Sequence, residues 1–79
     1  MLKLKIVSPE KVVYDGEAKS VVVPGLLGQF EILSNHAPII SSLTSGTVVY
    51  TNQESKQSIH VRGGFVEVKK NEVCVCVEV

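Results

Sequence analysis

An all-β fold, a small antiparallel β-sandwich or flattened barrel of about ten strands, is predicted by three observations. The chain carries 15 valines and five isoleucines against six leucines and two alanines, and branching at Cβ restricts side chains on a helix while packing well on a pleat. Apolar residues recur with period two in short runs, and segments rich in Gly, Pro, Asn and Asp separate those runs. No stretch keeps the 3.6-residue periodicity that an amphipathic helix needs. At 79 residues the chain makes a single domain, residues 1–79, with too little surface to bury for a second core.

The elements follow in order. Leu2, Leu4 and Ile6 alternate with Lys3 and Lys5, the pattern of a half-buried strand, and Pro9 ends it because it has no amide proton for a ladder. Lys11 to Tyr14 reads as a short strand closed by a tight turn at Asp15-Gly16, with Ala18 to Val23 as the returning arm of a hairpin before Pro24-Gly25. Gly28 to Leu33 is a strand with Phe30 and Ile32 on one face and Gln29 and Glu31 on the other, followed by the turn-prone Asn35-His36-Ala37-Pro38. Ile39, Ile40 and Leu43 are expected to return to the core. Thr47 to Thr51 is a strand, Asn52 to Gln57 a polar hairpin tip, and Ile59 and Val61 alternate with Ser58, His60 and Arg62. Gly63-Gly64 marks a bulge or a close backbone approach, Phe65 to Val68 is a strand, and Lys69-Lys70-Asn71-Glu72 turns into Val73 to Val79. In that last strand the valines share one face and Cys74 and Cys76 the other. With both faces apolar, it is either central in the sandwich or covered by another chain.

Composition excludes several classes. Eight basic residues balance eight acidic ones with no block of either sign, so a phosphate-neutralising nucleic-acid module is not expected. The apolar runs, the longest near Val21-Val22-Val23 and Ile39-Ile40, fall well short of the roughly 20 residues that span a bilayer. The N-terminus alternates rather than presenting a basic stretch and an apolar block, so no secretory signal and a cytosolic location are expected. Cys74 and Cys76 give no disulfide framework, and without further ligands nearby they are a weak metal set.

Catalytic chemistry has equally little support. His36 and His60 are the only side chains that ordinarily titrate near neutrality. His60 reads as a solvated strand residue, while His36 beside Asn35 leaves turn-forming and recognition roles open. Glu10, Asp15, Glu17, Glu31, Glu54, Glu67, Glu72 and Glu78 fall singly, without the pairing that acid-base work uses. There is no Gly-x-Ser-x-Gly elbow and no phosphate loop. No catalytic residue, cofactor or metal is assigned. Leu26 and Leu27, between Pro24-Gly25 and Gly28, are apolar residues in a loop and need cover, either by capping the core or by docking to a partner.

The ordered series Lys5-Ile6-Val7-Ser8-Pro9-Glu10, Val13-Tyr14-Asp15-Gly16, Val23-Pro24-Gly25, Gly28-Gln29-Phe30-Glu31-Ile32-Leu33, Asn35-His36-Ala37-Pro38 and Gly63-Gly64-Phe65-Val66-Glu67-Val68 resembles the N-terminal domain of the epsilon subunit of F-type ATP synthases, in register from Leu2 to about Val77. The resemblance implies a non-catalytic β-sandwich at the foot of the central stalk, linking the gamma subunit to the polar loops of the c-ring and coupling proton flow to ATP synthesis. It implies c-ring contacts at Gln29, Phe30, Glu31, Asn35 and His36, and gamma contacts at Ser8, His36, Ile40 and Ser41. The implied location is peripheral, on the cytoplasmic face of a bacterial inner membrane, without insertion into it.

The family commonly has Glu, Gly and Pro where this chain has Gln29, Glu31 and Ser34. Because i and i+2 share a strand face, the displaced acidic charge at Glu31 is still expected to reach the ring. Most members continue into a C-terminal helical hairpin that can inhibit ATP hydrolysis; if Val79 is the native end, that inhibition is expected to be absent. Two rival readings stand beside this one: a lipoyl- or biotinyl-type carrier domain modified at Lys69-Lys70-Asn71, and a small metal-binding β protein using Cys74 and Cys76.

Overall fold

Nine β-strands are present among residues 1–53 and 55–79, the residues described by the computed structural model. They are β1 (Leu2–Val7), β2 (Val12–Ala18), β3 (Ser20–Gly25), β4 (Gly28–Leu33), β5 (Ile39–Leu43), β6 (Gly46–Asn52), β7 (Ser55–Val61), β8 (Gly63–Lys69) and β9 (Glu72–Glu78). Their hydrogen-bonded order is β2-β1-β9-β8-β5-β3-β6-β7, with β4 paired to β3. Glu54, within the predicted polar tip, lies outside the described residues.

The sheet curls on itself, and the curl makes the core. Leu2, Leu4 and Ile6 of β1 meet Val73, Val75 and Val77 of β9 and Val66 and Val68 of β8, all buried, while Val21, Val23, Ile32, Val48, Tyr50 and Val61 close the opposite wall. Where β2 and β6 approach, the Tyr14 and Tyr50 rings lie 4.5 Å apart between centroids. There Asn52 Nδ2 donates to Tyr14 Oη at 3.2 Å. Among the described residues no polar side chain is buried, and no buried side-chain nitrogen or oxygen lacks a partner. The core is therefore purely apolar, and its stability comes from removing that surface from water.

The all-β class holds, with differences in detail. Nine strands are seen among the described residues instead of about ten, and one pairing is parallel: β1 lies beside β9 with Lys3 opposite Glu72 and Val7 opposite Cys76. No hairpin turn connects these two strands, so no local turn signal reports their direction.

The expected hairpin at Asp15-Gly16 is not formed. β2 runs straight through both residues, with Lys5 opposite Asp15 and Leu4 opposite Gly16. Gly16 serves packing instead, since a Cβ there would lie 2.8 Å from Tyr14 Oη. That hydroxyl donates to the Glu17 carbonyl at 2.7 Å. The chain changes walls after Ala18, and β3 pairs with β4, β5 and β6. Pro24, expected in a loop, is buried within β3. Its missing N–H is tolerated because the β3–β6 ladder has ended at Val22 and the β3–β5 pairing involves only Gly25.

Ile40 also departs from expectation. Leu43 is buried and Ile39 half-buried, whereas Ile40 is 73% exposed because it points to the outer face of β5. The expected close approach at Gly63-Gly64 is real: a Cβ on Gly64 would overlap the Cys76 carbonyl oxygen of the neighbouring strand.

Candidate docking surfaces

Three surfaces gather the residues of interest, and none resembles a catalytic centre. The first is the β3–β4 hairpin end. Gly25 pairs with Gly28 across a two-residue tip. Leu26 and Leu27 occupy that tip, exposed by 65% and 103%. A hydrogen bond from Leu26 N–H to the Ser42 carbonyl at 3.0 Å ties the tip to β5. Leu26, Leu27, Phe30, Ile39, Ile40 and Ser41 all line one open groove of about 380 Å³. Of the two roles left open for the leucines, capping the core is not what they do: their side chains stand in solvent.

The second surface is the outer side of β4 and the loop after it. Gln29 and Glu31 point outward with Leu33, which is likewise exposed and which sequence reasoning passed over although it continues the same period-two row. Phe30 is half-buried on the other side, packed on the core. Of the residues expected together at a c-ring, Gln29 and Glu31 thus lie on one face of β4 and Phe30 on the other, with Asn35 and His36 in the loop that follows. His36 belongs with Phe30, their ring centroids 6.4 Å apart. Its Nδ1 donates to the Ala37 carbonyl at 2.7 Å. Asn35 has a positive φ of 67°. Its N–H donates to Asn71 Oδ1 at 2.6 Å.

The third surface was only half visible in the sequence. Across β5, β8, β9, β1 and β2 the register aligns Ser42, Phe65, Cys76, Val7 and Val12 in one row on the outward side. Phe65 and Val12 are exposed there, and Val7 and Cys76 half-buried. Ser8 follows Val7 of this row, whereas Ser41, opposite the buried Val66, belongs to the other face of β5. The apolar Cys74/Cys76 side of β9 had pointed to this face; Phe65 joins it across the β8–β9 hairpin, and Val12 through the long-range pairing of β1 with β9.

The remaining candidates are placed plainly. His60 is exposed on β7. Cys74 and Cys76 are free thiols with Sγ atoms 3.7 Å apart. Burial, then Cys74 and Glu67, pushes the Cys76 thiol up from its ordinary value. No cluster of three His, Cys, Asp or Glu side chains suited to a metal occurs among the described residues. No helix among them is long and apolar enough to cross a membrane.

Residues 1–79 match the family described as ATP synthase, Delta/Epsilon chain, beta-sandwich domain. The chain belongs to this ATP synthase delta/epsilon family. Among curated relatives it is 46% identical over 74 residues to the ATP synthase epsilon chain of Leptospira borgpetersenii, covering 94% of this chain and 58% of that protein. It is 42% identical over 77 residues to the ATP synthase epsilon chain of Chlorobium limicola, covering 96% of this chain and 88% of that one. The chain therefore spans little more than half the length of the Leptospira relative. Among solved structures, a chain in the Euglena gracilis mitochondrial ATP synthase, OSCP/F1/c-ring in rotational state 1, superimposes with a TM-score of 0.90 at 16% identity, covering 96% of this chain and 49% of that chain. At that identity the likeness is one of fold. The delta/epsilon sandwich is thus the frame on which the three surfaces are carried.

Proposed function

We propose that this chain is a non-catalytic rotor element of an F-type ATP synthase, seated in the central stalk between the gamma subunit and the polar loops of the c-ring. The observation that carries the reading is the match of the delta/epsilon sandwich family to residues 1–79. Supporting it, exposed apolar side chains sit at two places: Leu26 and Leu27 at the hairpin end, and Ile40, Phe65 and Val12 on the outer sheet face. An element that joins two bodies needs two such surfaces, each able to exclude water from a packed interface.

In this reading Gln29, Phe30, Glu31, Asn35 and His36 meet the c-ring, while Ser8, His36, Ile40 and Ser41 approach gamma. Rotation of the ring is carried to gamma through a body whose apolar core resists shear. Chemistry stays in the catalytic head, and the domain holds no cofactor. The assembly places it peripherally at the cytoplasmic face of a bacterial inner membrane.

The test is binding to the cognate purified gamma subunit, by gel filtration and calorimetry. A one-to-one complex at micromolar concentration or tighter is expected. Absence of a complex both with gamma alone and with gamma joined to the c-ring would overturn the reading.

A further inference from the structure

The β8–β9 turn carries two residues of positive φ, Lys70 at 49° and Asn71 at 63°, the signature of a two-residue hairpin turn of the kind that favours glycine at its second position. An asparagine in that position keeps the turn and adds a side chain, and the side chain reaches Asn35 with both ends of its carboxamide. Its Oδ1 accepts the Asn35 N–H at 2.6 Å. Its Nδ2 donates to Asn35 Oδ1 at 3.5 Å. The Asn71 backbone carbonyl accepts the Lys3 N–H at 2.8 Å. Three segments distant in sequence therefore meet at one residue: the β4–β5 loop, the β8–β9 turn and the start of β1.

On the loop side, the Asn35 backbone is itself left-handed, and the next amide, His36 N–H, donates to the Leu33 carbonyl at 3.1 Å. Both amides that define the bend are thus occupied, one from within the loop and one by Asn71. The direction in which His36 leaves the loop, toward Phe30, follows from that bend. A groove runs from the end of the loop to the start of the turn, lined by Pro38 and Ile39 on one side and by Glu67, Val68, Lys69 and Lys70 on the other. The two segments form one continuous surface.

We propose that Asn71 is a positioning residue: through its side-chain pairing with Asn35 it fixes the conformation in which the Asn35–His36 loop is presented to its partner, and it makes the β8–β9 turn part of the same docking surface. What the loop docks to rests on the rotor reading above; that Asn71 holds the loop does not.

Two arms separate these parts. In the 79-residue chain, Asn71→Gly removes the side chain and keeps the positive-φ turn, while Asn71→Asp retains the acceptor for the Asn35 N–H. Amide exchange followed by NMR is expected to show the Asn35 proton exchanging at least about tenfold faster in Asn71→Gly, near wild type in Asn71→Asp, with His36 protection and the thermal midpoint little changed in either. Asn35→Gly, which keeps its own N–H, is expected to retain protection at position 35. In the second arm, affinity for the cognate gamma subunit joined to the c-ring is expected to fall about tenfold in Asn71→Gly and to be restored in Asn71→Asp.

Unchanged Asn35 exchange in Asn71→Gly overturns the positioning role. Faster exchange with undiminished affinity overturns the link from positioning to docking. Failure of the wild-type chain to bind that rotor assembly overturns the rotor reading and the docking half of the proposal with it, while the exchange arm still decides whether Asn71 holds the loop.

Discussion

Gly28 and Gly64 have nearly the same backbone angle, φ of 138° and 142°, and opposite surroundings. A Cβ added at Gly28 meets nothing within 4 Å, whereas one at Gly64 overlaps the Cys76 carbonyl oxygen and lies 2.8 Å from Val77 Cα. Replacing each with alanine therefore separates the cost of the backbone angle from the cost of pushing two paired strands apart. The angle alone costs an L-residue about 1–3 kcal/mol. Strand separation at Gly64 adds about 1–3 kcal/mol, the usual penalty for forcing extra volume into a packed site. Taking the middle of each range, Gly28→Ala loses about 2 and Gly64→Ala about 4 kcal/mol, against a total stability on the order of 5. For a domain of this size each kcal/mol is worth about 4–8 °C in thermal midpoint. Circular-dichroism melts should place Gly28→Ala about 12 °C and Gly64→Ala about 24 °C below the parent. Midpoints for the two variants within about 4 °C of one another would refute the argument from the close approach of β8 and β9.

Other expectations are open to direct measurement. The Leu26→Asp/Leu27→Asp double variant should keep its thermal midpoint within a few degrees, because both side chains are already in solvent, yet lose tenfold or more in affinity for gamma or the c-ring in a calorimetric titration. Glu31→Lys or His36→Trp in the assembled enzyme should lower protons pumped per ATP hydrolysed while leaving assembly of the catalytic head intact; unchanged pumping in both would count against the ring-facing placement. The raised Cys76 thiol and raised Tyr50 hydroxyl bind protons more tightly folded than unfolded. Stability from both is therefore fully present below their unfolded pKa values and lost as pH rises through the folded ones, beginning at about pH 9 for the thiol. Thermal midpoints measured from pH 7 to 11 should fall at the alkaline end, and Cys76→Ala should flatten the first part of that fall.

What was legible in the sequence was whatever short-range geometry decides. The alternation of Leu2, Leu4 and Ile6 fixes which side of β1 is buried, and the polar Lys69–Glu72 segment announces a turn because positive φ there must be tolerated locally. Gln29 and Glu31 could be assigned to a solvent face for the same reason. Pairing between distant strands decides the rest. Asp15-Gly16 looks like a turn until the Tyr14 ring claims the space that Gly16 leaves. Ile40 looks like core until β5 settles between β3 and β8 and faces it outward. The row from Ser42 through Phe65, Cys76 and Val7 to Val12 exists only once five strands are in register, so no window of sequence contains it. The Asn35–Asn71 pairing, between residues in separate turns, is of the same kind.

The parallel pairing of β1 with β9 governs how the chain can come together in time. Lys3 waits for Glu72 and Val7 for Cys76, so β1, already paired with β2, finds its second neighbour only in β9, the last strand of the domain. Closing so long a segment costs about 0.6 kcal/mol more for each doubling of the intervening length, and contacts of this range slow folding. On a ribosome, the β1–β2 and β6–β7 hairpins can form early, but one edge of β1 stays open until β9 has emerged. Two adjacent inner strands of the finished sheet thus come from the first and last segments of the domain, and the whole domain must have emerged before that part of it can lock.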